Sequence, residues 1–198
     1  MKLVILTKSA KRMNDGITYG NCVAGINERG DWVRLVSDAD GDSLSDRICK
    51  PFDCLDVIDV EASPCPIKNQ PENAILEQFN KKIGRYTIND VVEMYGVDCG
   101  RFCFVNSYAS LSERERRLVE NSLILIKVQK LSIYFDDRHI IKAQFTYNKT
   151  PYSNISITDN RHKKPTEFSE AYIVMSLPSD TGKYSGYYKF IAAVYPVL

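Results

Sequence analysis

A dense series of short β-patterned segments in the C-terminal part of the sequence restricts the fold more than any other feature. Apolar and polar residues alternate along residues 141–147, and further segments of this kind follow at 152–158, 171–177 and 187–195. Within residues 123–135 the apolar positions change parity, which predicts a β-bulge near Gln129 and Lys130. Five strands in about eighty residues are typical of a small closed barrel rather than a βαβ fold.

The N-terminal part shows comparable strands with helices inserted among them. Strands are predicted at residues 2–7 and 55–60 and in a hairpin formed by 22–27 and 32–37, whose short loop contains Gly30. Helical spacing of apolar residues predicts helices at 70–79 and at 88–95, the second ending near Gly96, and Ser112 is a natural N-cap. The sequence predicts a mainly β chain of two OB-like barrels packed in tandem, with residues 1–121 in the first and 122–198 in the second.

Composition favours a globular protein that stays in the cytoplasm. Hydrophobic residues make up 44% of the 198 residues, and no segment approaches the ~20 apolar residues that span a bilayer. The apolar run from Leu3 to Leu6 is too short for a signal peptide. The six cysteines contain no C-x-x-C pair, so we expect reduced thiols, no bound metal and no cofactor.

Charge is distributed unevenly along the chain. Residues 122–198 contain ten Lys or Arg and six Asp or Glu, whereas residues 1–121 contain sixteen and nineteen. The C-terminal surplus of positive charge is compatible with a polyanionic ligand. A mixed, solvated surface would explain the same distribution.

One segment, from Cys22 to Ser37, reads CVAGINERGDWVRLVS, and it resembles a signature of bacterial proteins with a dual OB-containing domain. The resemblance implies tandem OB folds, nucleic-acid or nucleotide binding, and an association with prokaryotic defence loci. Pro178 departs from the family pattern, which often has glycine there. Further matches follow in order along the chain: residues 70–73 (QPEN), 142–145 (KAQF), Tyr147, Tyr152, 157–159 (ITD), 176–177 (SL) and 188–189 (YK).

The early hairpin supplies the first candidate binding residues. Trp32 and Arg34 lie two apart on one strand and therefore share a face, where an indole and a guanidinium could stack a base and hold a phosphate. Alternatively, Trp32 packs beneath inserted helices and Arg34 pairs with Asp53 or Asp56.

Two further groups in the N-terminal part are candidate ligand contacts. After the first strand, Lys8, Ser9 and Arg12 provide cations and a hydroxyl for a phosphate, although the segment is not a P-loop and could be a solvated loop. Gln70, Glu72 and Asn73 lie at the predicted helix start, where they could read base edges or simply cap the helix; these three are the polar members of the QPEN motif.

The C-terminal part contributes four candidate ligand contacts. Tyr147, Tyr152, Tyr188 and Lys189 form an aromatic and basic set, of which Tyr147, Tyr152 and Lys189 are predicted as contacts, although tyrosine also fills barrel interiors. Asp159 could orient a ribose hydroxyl or form an Asx turn.

The function predicted from these residues is nucleic-acid or nucleotide binding, as an accessory component of a prokaryotic defence or mobile-element system. Two alternatives stay open: a metal-dependent enzyme using acids such as Asp53, Glu72 or Asp159, and a protein–protein adaptor. Catalysis is the weaker prediction because His139 and His162 accompany no nucleophile motif, and no catalytic residue is assigned.

Overall fold

The computed structural model describes residues 1–12, 19–181 and 186–197, and it divides the chain into two compact units, Met1–Gly96 and Val97–Leu198. Each unit contains a closed five-stranded barrel, which confirms the predicted mainly β architecture. The boundary lies at Gly96, not at the predicted residue 121. Residues 97–121 belong to the second unit because they bond to the strand that contains Leu125. The backbone N–H of Asp98 donates to the carbonyl of Leu125, and the N–H of Leu125 donates to Oδ2 of Asp98, each at 2.7 Å. No helix within the described residues has the length and apolar character needed to cross a membrane.

The first barrel places its five strands in the order β1-β2-β3-β5-β4, with β4 closing onto β1. Strands β3 and β5 pair in parallel and all other pairs are antiparallel. Helix α1 lies between β3 and β4, and α2 follows β5. The bounds are β1 Lys2–Arg12, β2 Tyr19–Asn27, β3 Trp32–Val36, α1 Asp46–Cys49, β4 Asp56–Pro64, β5 Asn73–Arg85 and α2 Ile88–Tyr95.

The helix predicted at residues 70–79 is wrong, because this segment is a loop followed by β5. Strand β5 pairs with β4 along its whole length, and the register shifts between Glu61 and Ala62. Leu76 and Phe79, three residues apart, both pack against the core of the first barrel. A bulged strand can therefore reproduce the apolar spacing of a helix.

The second barrel repeats the strand order of the first, which no repeat in the sequence indicated. Its strands follow the spatial order β7-β8-β9-β12-β10. Strands β9 and β12, which are the third and fifth strands of this barrel in chain order, are again parallel. Strands β6 and β11 form a separate pair. The bounds are β6 Ser110–Leu111, α3 Glu113–Arg116, β7 Leu123–Phe135, β8 Ile141–Tyr147, β9 Thr150–Ile157, β10 Thr166–Ser176, β11 Tyr187–Tyr188 and β12 Phe190–Pro196.

Several local predictions are confirmed by the structure. Helix α2 ends before Gly96 as expected and begins with a capping box formed by Thr87 and Asp90. Ser112 caps α3 in the same way. The predicted bulge in β7 occurs at Lys130, whose φ is 53°, and the pairing with β8 shifts between Gln129 and Ser132. The hairpin β2–β3 has a tight turn in which Gly30 adopts a φ of 88°, and its strands agree with the prediction.

Candidate functional site

Arg34 does not present a free guanidinium, contrary to its predicted role. Its Nε and Nη2 atoms both donate to Oε1 of Glu72 at 3.3 Å, and Nη1 donates to Sγ of Cys22 at 2.7 Å. Arg34 is buried with 4% of its surface exposed, and Trp32 on the same strand is half-buried. The two predicted site residues Arg34 and Glu72 do meet, but as a buried ion pair.

The acids first considered as partners of Arg34 pair elsewhere. Asp56 binds Lys82 and Arg85, each at 2.8 Å, and Asp53 binds Lys8 at 3.0 Å. The alternative prediction, in which Arg34 forms an ion pair with an acid, is therefore correct. The acid is Glu72, however, and not Asp53 or Asp56.

The QPEN residues do not begin a helix, and their side chains are not open to a ligand. Gln70, Glu72 and Asn73 are all buried, in the loop between β4 and β5 and at the start of β5. Nδ2 of Asn73 donates to Oε1 of Gln70 at 3.5 Å, and the backbone of Cys65 bonds to the carbonyl of Asn73 at 2.8 Å. These side chains join the loop to the first barrel.

The candidate phosphate residues at the end of β1 separate from one another. Ser9 is buried, whereas Lys8 is half-buried and donates to the Phe52 carbonyl at 2.7 Å as well as to Asp53. Arg12 is the last residue of β1, and its side chain lies outside the described part of the chain. Lys8 lines a cleft together with Asn21 and residues of α1.

Three members of the aromatic and basic set, Tyr147, Tyr152 and Lys189, are buried and do not face a ligand, whereas Tyr188 is exposed. The hydroxyl of Tyr147 donates to the Asp98 carbonyl at 3.0 Å, and burial raises the pKa of Tyr147 to about 12. The Tyr152 ring stacks on Phe145 with centroids 5.0 Å apart. Nζ of Lys189 donates to both the backbone carbonyl and Oδ1 of Asn106, at 2.7 and 2.8 Å.

Asp159 forms the turn that was the alternative to ribose binding. Its carboxylate accepts hydrogen bonds from the backbone and the guanidinium of Arg161, and from the backbone N–H of Val194 at 2.9 Å. Burial opposes ionisation, but the hydrogen bonds and charge of Arg161 hold the pKa of Asp159 below its ordinary value. The carboxylate is fully engaged in closing this turn.

The outer faces of the second and third strands differ sharply between the two barrels. In the first barrel these are β2 and β3, whose outward residues Ala24, Ile26, Arg34 and Val36 are buried, while Cys22 and Trp32 on the same face are half-buried. In the second barrel they are β8 and β9, which alternate between buried inward residues and polar outward residues that are exposed or half-exposed. Among the described residues, the second barrel has the more open of the two faces, because Gln144 and Asn154 are fully exposed there.

We call the open surface the β7–β9 face. Cross-strand pairing aligns Tyr134, Lys142 and Ser156 in one row, and pairs Ser132 with Gln144 in the next. Nζ of Lys142 donates to Oγ of Ser156 at 2.7 Å, and the hydroxyl of Tyr134 donates to Oδ1 of Asn154 at 3.0 Å. The face comprises Ser132, Tyr134, Lys142, Gln144, Asn154 and Ser156.

The turn between β7 and β8 borders this face and presents further ring systems. Phe135 is exposed, and its ring stacks on the imidazole of His139 with centroids 6.3 Å apart. The Asp136 carboxylate accepts the backbone N–H groups of Ile140 and Arg138, which lowers the pKa of Asp136 and fixes the turn. The face and its turn together combine aromatic rings, cations, amides and hydroxyls.

The alternation of polar and apolar residues indicated this face, but the selection of candidates by aromatic and basic residue type did not find it. Lys142, Gln144 and Thr146 occupy the polar positions of a regular two-residue alternation, which places them outside the barrel. The tyrosine selected as a ligand contact, Tyr147, occupies an apolar position of the same alternation. Periodicity was therefore the better guide to exposure, and aromatic character the poorer one.

No group of three or more His, Cys, Asp or Glu side chains that could hold a metal ion occurs within residues 1–12, 19–181 and 186–197. Each acid named for a metal-dependent enzyme has a cationic partner within its own unit: Asp53 pairs with Lys8, Glu72 with Arg34, and Asp159 with Arg161.

Comparison with known proteins agrees with this architecture. Residues 1–194, nearly the whole chain, match the model of a family described as a dual OB-containing domain. No curated protein and no solved structure matches the chain.

Proposed function

The chain belongs to the dual OB-containing domain family, and we propose that it binds single-stranded nucleic acid through the β7–β9 face. OB folds engage oligonucleotides with the outer face of their second and third strands and the loop between the first and second. In the second barrel these are β8, β9 and the turn at residues 136–140. The openness of this face is the observation that carries the proposal.

Four of the six side chains on the face match parts of a nucleotide. The Tyr134 ring offers a stacking plane for an unpaired base, and the Lys142 ammonium offers a contact for a phosphate. The side-chain amides of Gln144 and Asn154 both donate and accept hydrogen bonds, as base edges require. Stacking planes and amides on one strand pair favour single strands, whose bases are free to turn outward.

Removing the Tyr134 ring should weaken binding to a single-stranded oligonucleotide by about tenfold or more, because stacking on one aromatic side chain contributes roughly 1–3 kcal/mol per base. Fluorescence anisotropy of a labelled single strand at low salt measures this for Tyr134→Ala. Tyr134→Phe should retain most of the affinity, since it keeps the ring. The matched control is Tyr108→Ala, which removes an even more exposed tyrosine of the same unit, 72% exposed, outside the face.

Lys142 should contribute mainly through charge. In the same assay Lys142→Gln should weaken binding across sequences and lower the salt slope by about one. If no single strand binds at low salt, or if Tyr108→Ala weakens binding as much as Tyr134→Ala, the β7–β9 face is not the interface.

The proposal extends to the setting in which such a protein acts. We place it in the cytoplasm, which is supported by the six cysteines, none of which forms a disulfide. An accessory role in a prokaryotic defence or mobile-element system is supported by the resemblance of residues 22–37 to proteins of such loci. Copurification of nucleic acid with the native protein, released by high salt, would test both the ligand and its origin.

A further inference from the structure

A second basic surface lies in the first unit, away from any residue of the β7–β9 face in sequence. It is a cleft of about 510 Å³ lined by Lys8, Asn21, Asp46, Arg47 and Lys50. Three of the five side chains are cationic and one is acidic. This volume falls within the range of about 300–1,000 Å³ typical of small-molecule sites.

Helix α1 and the strand pair β1–β2 form the walls of the cleft. Arg47 and Lys50 are three residues apart at α1 and its C-cap, which places them on one side of the helical turn. Lys8 and Asn21 lie on the paired strands β1 and β2, in register with Val23 and Ala10 respectively, and so they share a face. Backbone hydrogen bonds between Asn21 and Leu44 fix the strand beside the segment that leads into α1.

The charges in the cleft are only partly balanced within the protein. Nδ2 of Asn21 donates to Oδ1 of Asp46 at 2.6 Å, and Lys8 pairs with Asp53 at 3.0 Å. Arg47 and Lys50 are exposed, and neither side chain has a hydrogen bond or ion pair with another described residue. Cations that converge on a concave surface without counter-charges attract an anion more strongly than isolated surface cations do.

We propose that this cleft binds the phosphate groups of a nucleotide. The Arg47 guanidinium can hold two phosphate oxygens at once, and Lys50 and Lys8 supply point charges beside it. Tyr19 lies two residues before Asn21, on the same face of β2, and is 57% exposed. The Cα atoms of Tyr19 and Asn21 are therefore about 7 Å apart along the strand, and the Tyr19 ring is a candidate stacking plane for the base beside the cleft.

The inference goes beyond single-strand binding and does not rest on it, because it uses different residues in the other unit. The same phosphate chemistry occurs in a free nucleotide and at the 5′ end of a phosphorylated strand. The experiment therefore includes both ligands.

Isothermal titration with adenosine, AMP, ADP and ATP tests the cleft directly. Affinity should rise with the number of phosphates, and adenosine should bind far more weakly than ATP. The double variant Arg47→Gln/Lys50→Gln should lose about tenfold or more in ATP affinity, because two charge-assisted contacts disappear. The control Arg29→Gln/Lys81→Gln removes the same charge from exposed positions of the same unit and should change the affinity by less than about twofold.

A second arm separates the two phosphate sources. In a Tyr134→Ala background, a short strand with a 5′-phosphate should bind more tightly than the same strand with a 5′-hydroxyl if the cleft accepts strand ends. Equal affinities, together with ATP binding, assign the cleft to free nucleotides.

The inference is overturned if ATP binds no more tightly than adenosine, or if the control variant loses as much affinity as Arg47→Gln/Lys50→Gln. Because Tyr134→Ala should leave ATP affinity unchanged, failure of the cleft and failure of the β7–β9 face give different results.

Discussion

Replacing Arg34 with methionine should lower the free energy of unfolding by about 3–5 kcal/mol, because the change leaves the Glu72 carboxylate buried without its cation. Only 5% of the Arg34 side chain and 2% of the Glu72 side chain are exposed. Water therefore cannot easily replace the lost hydrogen bonds from Nε and Nη2. Urea denaturation followed by circular dichroism measures the loss.

A double-mutant cycle distinguishes a buried pair from two independent contacts. Arg34→Met/Glu72→Leu removes both charges and should cost clearly less than the sum of the two single substitutions, since neither charge is left unpaired. The control is Arg29→Met, which breaks the exposed pair of Arg29 with Asp31 and should cost less than about 1 kcal/mol. A cost below about 1 kcal/mol for Arg34→Met, or strictly additive losses, would contradict this account of the pair.

The same pair shows why the first binding hypothesis was misleading. An arginine two residues from a tryptophan on a strand has the side chains of a nucleotide site, and the hairpin that carries them was predicted correctly. The guanidinium of Arg34 is not exposed because it pairs with Glu72, which lies 38 residues away in sequence and was predicted to lie in a helix. A contact of that range cannot be read from local pattern. Loss of ligand binding in an Arg34 variant should therefore be interpreted only after its folding has been measured.

Patterns within one or two elements were predictive, because turns, caps and strand alternation depend on near neighbours. The bulge at Lys130, the helix at 88–95 and the cap at Ser112 are all set by residues close in sequence. The segment 70–79 failed because its pairing with β4 shifts register, and only the partner strand reveals that shift.

The candidate sites illustrate a second limit of residue type as a guide. Residues 22–27 form an almost unbroken apolar run, which is typical of a strand buried on both faces, and the outward residues Ala24 and Ile26 of β2 are indeed buried. Residues 141–147 alternate, which is typical of a strand with one open face. The contrast between these two runs predicts that the outer face of the second and third strands is more open in the second barrel. This prediction does not depend on where the tryptophan and the tyrosines occur.

Lys189 carries the second large expected effect, which is a dependence of stability on pH. Its side chain lies in the second unit with 1% of the residue exposed, and burial lowers its pKa from 10.5 to about 8. Interactions with Cys103 and Glu115 oppose that shift without cancelling it. The folded protein therefore holds a lysine proton less tightly than the unfolded chain does.

The sign of the effect follows from proton uptake on unfolding. Below the folded pKa of about 8 both states are protonated, and the folded state bears the full cost of a buried ammonium. Between about 8 and 10.5 the folded protein has released the proton while the unfolded chain still binds it, so the free energy of unfolding rises with pH. From about pH 7 to about pH 9.5 the gain from this one group should be about 2 kcal/mol.

Comparing the wild-type protein with Lys189→Met isolates this contribution, because other titrating groups are common to both and largely cancel in the difference. Urea denaturation across this pH range should show the wild-type protein gaining about 2 kcal/mol relative to Lys189→Met. Lys149→Met, which removes an exposed lysine of the same unit, should follow the wild-type curve. A difference between wild type and Lys189→Met that stays constant from about pH 7 to about pH 9.5 would mean that Lys189 keeps an ordinary lysine pKa. In that case its ammonium must be solvated, and the interior placement between Asn106 and the Tyr152 ring must be wrong.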